Sequence, residues 1–448
     1  MMKKVITYGT FDLLHEGHVN LLRRAKELGD YFIVGVTSDS FDADRGKLNV
    51  RNNLLERVEA VRATGYADEI IIENYIGQKI DDILRNEVDV FAVGSDWEGQ
   101  FDYLNEYCQV VYLPRTSGIS STMPRSKSEN VYRAGIVGSG RIARRFVPET
   151  DSVAGLKVTA VYDPCRNSAE KFASEFGIAC FHEDFDGFLE QTDAVYIASP
   201  HQTHYEYARR ALHAGRHVLC EIPLVLSAAQ ASELYDYAQS RNLVFLEASK
   251  TAFCPSFNHL VSLVRSGIIG DVVDVKASLS KLVTSPSREL EQSQCGGAVN
   301  EHAPLTLMAI IKLLGLDYRR VGFYSRLCNG IDIYTKIVLD YPHATSCATL
   351  GVGVKTEGSL VVSGTRGYVY VPAPWWLTSF FEVRYEDRRM NRKFFYSFDG
   401  EGLRYEIREF VSMIAGGRSS SYKLSADESI AIAQIIERFN RKENFTAL

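Results

Sequence analysis

Two histidines three residues apart, His15 and His18 in GTFDLLHEGH (9–18), follow a short β-rich run and open an amphipathic one. At the first turn of a helix that spacing brings both imidazoles toward one point in space. The helix N-terminus adds unpaired N–H groups and the positive end of a dipole, a ready anion site. Two imidazole donors there can hold the α- and β-phosphates of a nucleotide and stabilise charge as a phosphorus centre becomes five-coordinate. In such chemistry an acceptor phosphate attacks the α-phosphorus in line and pyrophosphate leaves, with no covalent intermediate. The plainer alternatives for an isolated HxGH are a helix cap or a pair of zinc ligands. Two later segments favour the phosphate chemistry. VGSDWEG (93–99) stands at a predicted strand end, where ligands of open α/β sheets bind. In RTSGISST (115–122), Arg115 precedes the hydroxyls Ser120, Ser121 and Thr122, which could open a helix and grip phosphate oxygens.

A second constellation lies further along. In GIVGSGRIA (135–143), Gly138 permits a tight turn, Gly140 lets backbone approach a pyrophosphate, Arg141 and Ile142 begin a helix, and Ala143 allows close helix packing. Asp163 ends the next strand, 25 residues after Gly138, near the ~20-residue interval of a ribose-binding acid. The acid leans towards NAD; the nearby Arg166 could accept the phosphate of NADP.

These motifs need elements to position them. Residues 3–113 alternate β-rich runs (VITYG, YFIVGVTSD, EIIIE, VFAVGS, VVYLP) with helical ones, the pattern of a parallel sheet with crossover helices. MPRSKSENVY reads as a linker. The α/β pattern restarts at Tyr132, and from about residue 256 it gives way to runs of alternating strands such as YTKIVLDYP and GYVYVPAP, an α+β pattern. Three domains are expected: 1–125, 131–250 and 251–448. No repeat of ~20–50 residues is evident.

Composition sets outer bounds. The 448 residues are 46% hydrophobic and 24% charged, with 50 basic and 56 acidic side chains giving a net charge of −6; this is a folded chain without the strongly basic surface of a nucleic-acid binder. The opening MMKKVITYGTFD is expected to be neither signal peptide nor anchor, and LTLMAIIKLLGL, interrupted by Lys312, falls short of the ~20 apolar residues a bilayer needs. The eight cysteines form no close pairs, so neither a zinc knuckle nor a disulfide scaffold is expected, but mostly buried, reduced thiols of a cytoplasmic protein.

On GTFDLLHEGH, GSDWEG and RTSGISST, residues 3–122 resemble the glycerol-3-phosphate cytidylyltransferase branch of the HxGH nucleotidyltransferases. The resemblance implies CTP, with Mg²⁺, reacting with a polyol phosphate to give a CDP-polyol and pyrophosphate. It also implies that Thr10, Phe11, His15 and His18 hold the nucleotide phosphates. Lys47 would neutralise the triphosphate from a loop, Asp96 and Trp97 would lie near nucleotide or acceptor, and Arg115, Ser120, Ser121 and Thr122 would complete the phosphate grip. Arg57 is either a further candidate or a helix-surface ion pair. HxGH alone does not separate CTP from ATP. Glu16, between the histidines, and Gln100 depart from the family pattern and bear on the acceptor.

From 131 onward the chain resembles the glucose-fructose oxidoreductase, inositol dehydrogenase and MocA family, on GSGRIA, ASPHQTH, AGRHVLCEIPL and SGIIGDV. The resemblance implies a dinucleotide-binding Rossmann domain followed by a largely antiparallel α+β domain that supports a homo-oligomer. It places Gly138, Gly140, Arg141, Ile142, Asp163, Glu221 and His204 near the cofactor. The family's EKP triplet is here Glu221-Ile222-Pro223, and isoleucine moves no proton. In Gly296-Gly297-Ala298-Val299-Asn300-Glu301 the acid is kept, but the family's His or Tyr four residues later is Leu305. Lys250, Glu301 and His302 are candidates to replace what is lost, against plainer roles in ion pairing, capping or packing. Three functions are therefore open: a cytidylyltransferase fused to a degenerate NAD(P)-binding half, a bifunctional reductase and cytidylyltransferase, or a cytidylyltransferase on a noncatalytic scaffold.

Overall fold

A computed structural model describes residues 2–44, 50, 52–74, 78–114, 131–396, 398 and 400–448. The chain forms two compact units, one of residues 1–126 with 259–268 and the other of 127–258 with 269–448. The MPRSKSENVY segment lies mostly outside the described residues.

In the first unit five strands, β1 (Lys4–Gly9), β2 (Tyr31–Thr37), β3 (Glu69–Glu73), β4 (Val90–Gly94) and β5 (Gln109–Leu113), form a parallel sheet in the order β3-β2-β1-β4-β5. In β1 to β4 the Val, Ile and Phe residues are buried almost end to end, as expected of strands covered on both faces, whereas the edge strand β5 is only half-buried up to Leu113. Helices α1 (Glu16–Lys26), α2 (Asp39–Asp44), α3 (Leu54–Ala63) and α4 (Gln78–Asn86) connect them. Asn53 and Glu56 close a reciprocal capping box that fixes the start of α3. The strand order reverses between β1 and β4, so the crevice at their carboxyl ends is the natural ligand position.

The second unit holds two sheets. Strands β6 (Tyr132–Val137), β7 (Leu156–Tyr162), β8 (Cys180–His182), β9 (Ala194–Ile197), β10 (His217–Glu221) and β11 (Phe245–Ala248) are all parallel, in the order β11-β10-β9-β6-β7-β8. This is the doubly wound dinucleotide-binding order, with its reversal between β6 and β9. Helix α5 (Arg141–Thr150) follows β6.

The other sheet has nine strands: β12 (Val272–Ser280), β13 (Arg320–Cys328), β14 (Ile331–Asp340), β15 (Thr345–Gly351), β16 (Leu360–Gly364), β17 (Gly367–Val371), β18 (Phe380–Tyr385), β19 (Arg392–Phe395) and β20 (Phe445–Ala447). It is antiparallel except for the β12–β15 and β13–β20 pairs. The apolar helix Ala298–Leu314 is buried along nearly its whole length, against β12, β14, β15 and the helix Ala426–Asn440.

The fold is thus the mixed α/β architecture anticipated from the chain pattern. The cysteines differ from expectation. All eight are free, yet only Cys220 and Cys254 are buried, while Cys165, Cys180 and Cys328 are exposed. Cys180 lies on the edge strand β8 and Cys328 at the end of β13, positions that hydrophobicity alone does not reveal. Among the described residues no helix is long and apolar enough to cross a membrane.

Candidate functional site

Leaving β1, the backbone passes through left-handed conformations at Phe11 (φ 51°) and Leu13 (φ 46°) before α1 begins. His15 caps that helix, its Nδ1 accepting from the Gly17 N–H at 3.1 Å. An accepting Nδ1 has no proton, so the neutral ring carries its N–H at Nε2 and presents a donor there. Gly17 leaves room for this arrangement: a Cβ at 17 would stand 3.0 Å from His15 Cε1 and 3.1 Å from Nδ1, so the ring would have to shift by a few tenths of an ångström. The His15 and His18 rings stack with centroids 3.9 Å apart and planes 17° apart, and Phe11 meets His18 edge-on at 5.7 Å. The pair is therefore held together at the N-terminus of α1, beside the β1/β4 reversal.

Arg57 ties the surrounding loops together. It is fully buried rather than a helix-surface ion pair. One NH1 donates to the carbonyls of Thr10 (2.7 Å) and Thr37 (2.8 Å), and Nε donates to the Asn52 carbonyl at 2.9 Å. The guanidinium also pairs with Asp39 (2.6 Å) and Asp42 (3.4 Å). Asp42 in turn accepts from the hydroxyls of Thr10 (3.0 Å) and Thr37 (2.7 Å), so Thr10 commits that proton to protein and can face a phosphate through its backbone N–H. Asp12 adds a bond from the Asn52 N–H at 2.7 Å. The loops after β1 and β2 and the entry to α3 are thereby pinned to one cation. Asp12 and Asp42 were not singled out from the sequence; in a run as acidic as TSDSFDADR the buried Asp42 reads like a solvated carboxylate.

Across the reversal, β4 ends in the turn Ser95–Trp97. Asp96 and Trp97 are exposed there, Trp97 against Phe101 with centroids 5.9 Å apart. Glu16 and Gln100 are also exposed. Lys47, Arg115, Ser120, Ser121 and Thr122 lie outside the described residues.

At the second reversal, Gly138 (φ 97°) donates its N–H to the Tyr162 carbonyl at 2.8 Å, and a Cβ at 138 would come within 2.7 Å of the Ala198 carbonyl oxygen. Gly140 caps α5, and a Cβ there would meet nothing within 4 Å. The turn is thus tight on its protein side and open on its outer side, which fits a pyrophosphate over the helix N-terminus. Ala143 is fully buried. Ile142 is half-buried, and Arg141 is exposed and pairs with Glu289 at 3.2 Å.

Asp163 does more than the sequence suggested. One carboxylate oxygen accepts from the Ser139 N–H (3.1 Å) and hydroxyl (2.7 Å), and the other accepts from the Cys165 N–H (3.0 Å). It holds the glycine turn, and its spare lone pairs are what a ribose hydroxyl would use. Arg166 is exposed and lies 3.4 Å from Glu183.

The remaining candidates of this half separate into two groups. His204 is fully buried, with Nδ1 2.9 Å from the Pro223 carbonyl and Nε2 2.9 Å from the Ser199 carbonyl, and burial lowers its pKa. It latches the turn after β9 to the Glu221-Ile222-Pro223 turn. Glu301 is held bidentately by Arg288 at 3.0 Å, with His201 Nε2 3.3 Å from the same guanidinium. Burial drives the His302 pKa down to about 4, so the ring is neutral at pH 7. Leu305 is buried. In the other group, the Tyr196 hydroxyl donates to Glu221 at 2.5 Å, and Lys250 Nζ donates to the Glu401 carbonyl at 2.8 Å.

Comparison with known proteins divides the chain in the same way. Residues 6–127 match the family model described as cytidylyltransferase-like, and residues 132–249 match that of the oxidoreductase family with an NAD-binding Rossmann fold. The chain is 51% identical over 126 residues to a glycerol-3-phosphate cytidylyltransferase of Bacillus spizizenii, covering 27% of this chain and 93% of that protein. It is 27% identical over 321 residues to a trans-1,2-dihydrobenzene-1,2-diol dehydrogenase of Oryctolagus cuniculus, covering 68% of this chain and 97% of that one. In fold it is similar to a 3-ketoreductase from Actinomadura kijaniata solved with NADP, with a TM-score of 0.65 and 22% identity over 71% of this chain and all of that one.

Proposed function

We infer the activity from a premise: the chain belongs to the cytidylyltransferase-like family through its amino-terminal part, which is fused to an NAD-binding oxidoreductase-like part. We propose that it transfers CMP from CTP to a polyol phosphate resembling glycerol 3-phosphate, releasing pyrophosphate. The observation that carries this reading is the stacked His15–His18 pair at the N-terminus of α1.

In the proposed reaction an acceptor phosphate oxygen forms a bond to the α-phosphorus while the bond to the bridging β-phosphate oxygen breaks. The Nε2–H of His15, together with His18 and the amides opening α1, donates to oxygens that gain charge in the five-coordinate state. Arg57 and Asp42 keep the Thr10–Phe11 backbone and the histidine loop in one register, so that little reorganisation remains when the nucleotide arrives. Lys47, Arg115, Ser120, Ser121 and Thr122 would neutralise and grip the triphosphate, with Asp96 and Trp97 flanking base or acceptor. Among the described residues no group of three or more His, Cys, Asp or Glu is placed to hold a metal ion. Mg²⁺ would enter on the phosphates of CTP, keeping several of its waters.

In the second half, Gly138, Gly140, Arg141, Ile142 and Asp163 would hold NAD or NADP, with Glu221 at the nicotinamide end; bound there, the dinucleotide would supply a hydride. Ile222 and Leu305 offer no proton at their positions, which favours a half that binds the dinucleotide with altered chemistry. We read the whole as three domains, 1–125, 131–250 and 251–448. Turnover of each NTP with glycerol 3-phosphate tests the proposal: CTP-dependent release of pyrophosphate and a CDP-polyol supports it, and preference for ATP overturns it.

A further inference from the structure

The first unit includes residues 259–268, so most of the helix Pro255–Arg265 belongs with the cytidylyltransferase-like part. The cytidylyltransferase-like match ends at residue 127, and this helix is an addition of the fused chain. Its Leu260, Val261, Leu263 and Val264 are buried. Two polar contacts fix it within the unit. Arg62, on α3, donates to the Arg265 carbonyl at 2.6 Å and so satisfies an acceptor that a helix end leaves without an intrahelical partner. His259 is buried, with Nε2 3.1 Å from Nδ2 of Asn74, the residue that follows β3. The same amide nitrogen donates to the Ile72 carbonyl at 3.3 Å, which orients the amide with its N–H groups towards the ring. His259 Nε2 is then the acceptor, and the ring proton sits on Nδ1. Burial lowers the His259 pKa to about 3, so the imidazole is neutral and Nε2 keeps its lone pair.

From Asn74 a run of hydrogen bonds leads to the centre of the five-stranded sheet. The Asn74 N–H donates to Gln78 Oε1 at 2.8 Å, and Gln78 Nε2 donates to the Ile72 carbonyl (2.7 Å) and to Asp82 (3.0 Å). Asp82 also accepts from the Tyr8 hydroxyl at 2.8 Å. Tyr8 is buried on β1, two residues before Thr10. Lys79, beside Gln78 on α4, pairs with Glu73 at the end of β3. Its ammonium lies 4.6 Å from the Tyr8 ring centroid and 5.7 Å from that of Phe101, the ring that meets Trp97. The run therefore reaches both sides of the β1/β4 reversal.

We propose that His259 is a positioning residue for nucleotidyl transfer: by holding the Asn74 amide it fixes Gln78 and Asp82, and through them Tyr8 and the Lys79–Phe101 side of the reversal. This rests on the cytidylyltransferase reading. An apolar residue at 259 leaves Asn74 Nδ2 with only the Ile72 carbonyl at 3.3 Å, while Oδ1 already has no partner among the described residues. A buried amide so poorly satisfied turns or draws in water, and the Asn74–Gln78 link loosens with it. The Arg57 cluster is built on other residues, Thr10, Thr37, Asn52, Asp39 and Asp42, so the phosphate-binding loop keeps its register. The loss then falls on the alignment of the reactants and not on the hold on CTP. Transfer by the first unit is in this way tied to a helix encoded in the second half of the sequence.

The test uses the full chain with CTP and glycerol 3-phosphate. His259→Leu removes the acceptor and keeps an apolar side chain; His259→Gln returns an acceptor oxygen near the place of Nε2. His259→Leu should lower kcat about tenfold with the KM for CTP within about twofold of the unaltered value, and His259→Gln should bring kcat back to within about threefold. Asn74→Ala, on the other side of the hydrogen bond, should lower kcat to a similar extent. The double variant His259→Leu with Asn74→Ala should be no slower than either single one, as for two members of one network. NADH binding, read by fluorescence, serves as the control that the rest of the chain is folded. If His259→Leu does not fold, Asn74→Ala decides in its place. Undiminished kcat in either single variant, a loss that His259→Gln does not recover, or losses that multiply in the double variant overturn the proposal alone. If the unaltered chain forms no CDP-polyol, the cytidylyltransferase reading itself fails and the proposal falls with it.

Discussion

Arg57→Met is the most informative structural perturbation of the first unit. The guanidinium is fully buried, donates to three backbone carbonyls and compensates Asp42, whose side chain is only 1% exposed. Removing one member of such a pair leaves an uncompensated buried charge, which costs about 3–5 kcal/mol. The second partner, Asp39, has a side chain 39% exposed and is re-solvated at little cost, so it adds little to this figure. Against a typical stability of ~5–15 kcal/mol, the loss is a large fraction of the whole. Amide hydrogen exchange in β1 and β2 of the intact chain reads it directly. At ~1.4 kcal/mol per decade, protection of the slowest amides should fall about 150- to 4,000-fold. Adding Asp42→Asn removes the orphaned charge and should recover at least about 1 kcal/mol. A single variant that loses less than about 1 kcal/mol, or a double variant that recovers nothing, would refute the view of Arg57 as the cation that pins these loops.

Gly17→Ala places a methyl group against the His15 ring; CTP turnover should drop at least about tenfold while circular dichroism stays unchanged, as expected when a reacting group is displaced by a fraction of an ångström. Gly138→Ala meets both a positive φ of 97° and the Ala198 carbonyl, so NADH binding measured by fluorescence titration should be lost, with a stability cost of about 1–3 kcal/mol. Glu289 is held at a pKa of about 2; burial alone would raise it, but the Ser287 hydroxyl, Arg141 and Lys281 bring it below its ordinary 4.5. Because the folded value is the lower one, its contribution is complete above pH 4.5 and is lost as the pH falls through about 2. Acid titration of Glu289→Gln should therefore show a shallower loss of stability across that window than the unaltered chain.

Much of this was legible in the sequence because the motifs are local. GTFDLLHEGH and GIVGSGRIA each sit on one strand–turn–helix unit, so the spacing of His15 and His18, or of Gly138 and Gly140, already encodes the geometry. What escaped depends on contacts between distant elements. Arg57 stayed open between a site candidate and a helix-surface ion pair because its partners Thr10, Thr37 and Asp42 come from other segments of the chain. Asp163 was read by its interval from Gly138, which says nothing of the Ser139 and Cys165 donors that occupy it. His259 stands 185 residues after Asn74, and a histidine on the helical run SFNHLVSLVRSG gives no sign of its partner until that helix is packed.

The measurement that bears most directly on the proposed chemistry is CTP turnover by the full chain with His15 or His18 replaced by alanine, with NADH binding as the control for folding. Each replacement should lower the rate of pyrophosphate release about a hundredfold or more, because each removes a donor to the oxygens of the five-coordinate state. Undiminished turnover in either variant would contradict the assignment of the stacked imidazoles to phosphoryl chemistry.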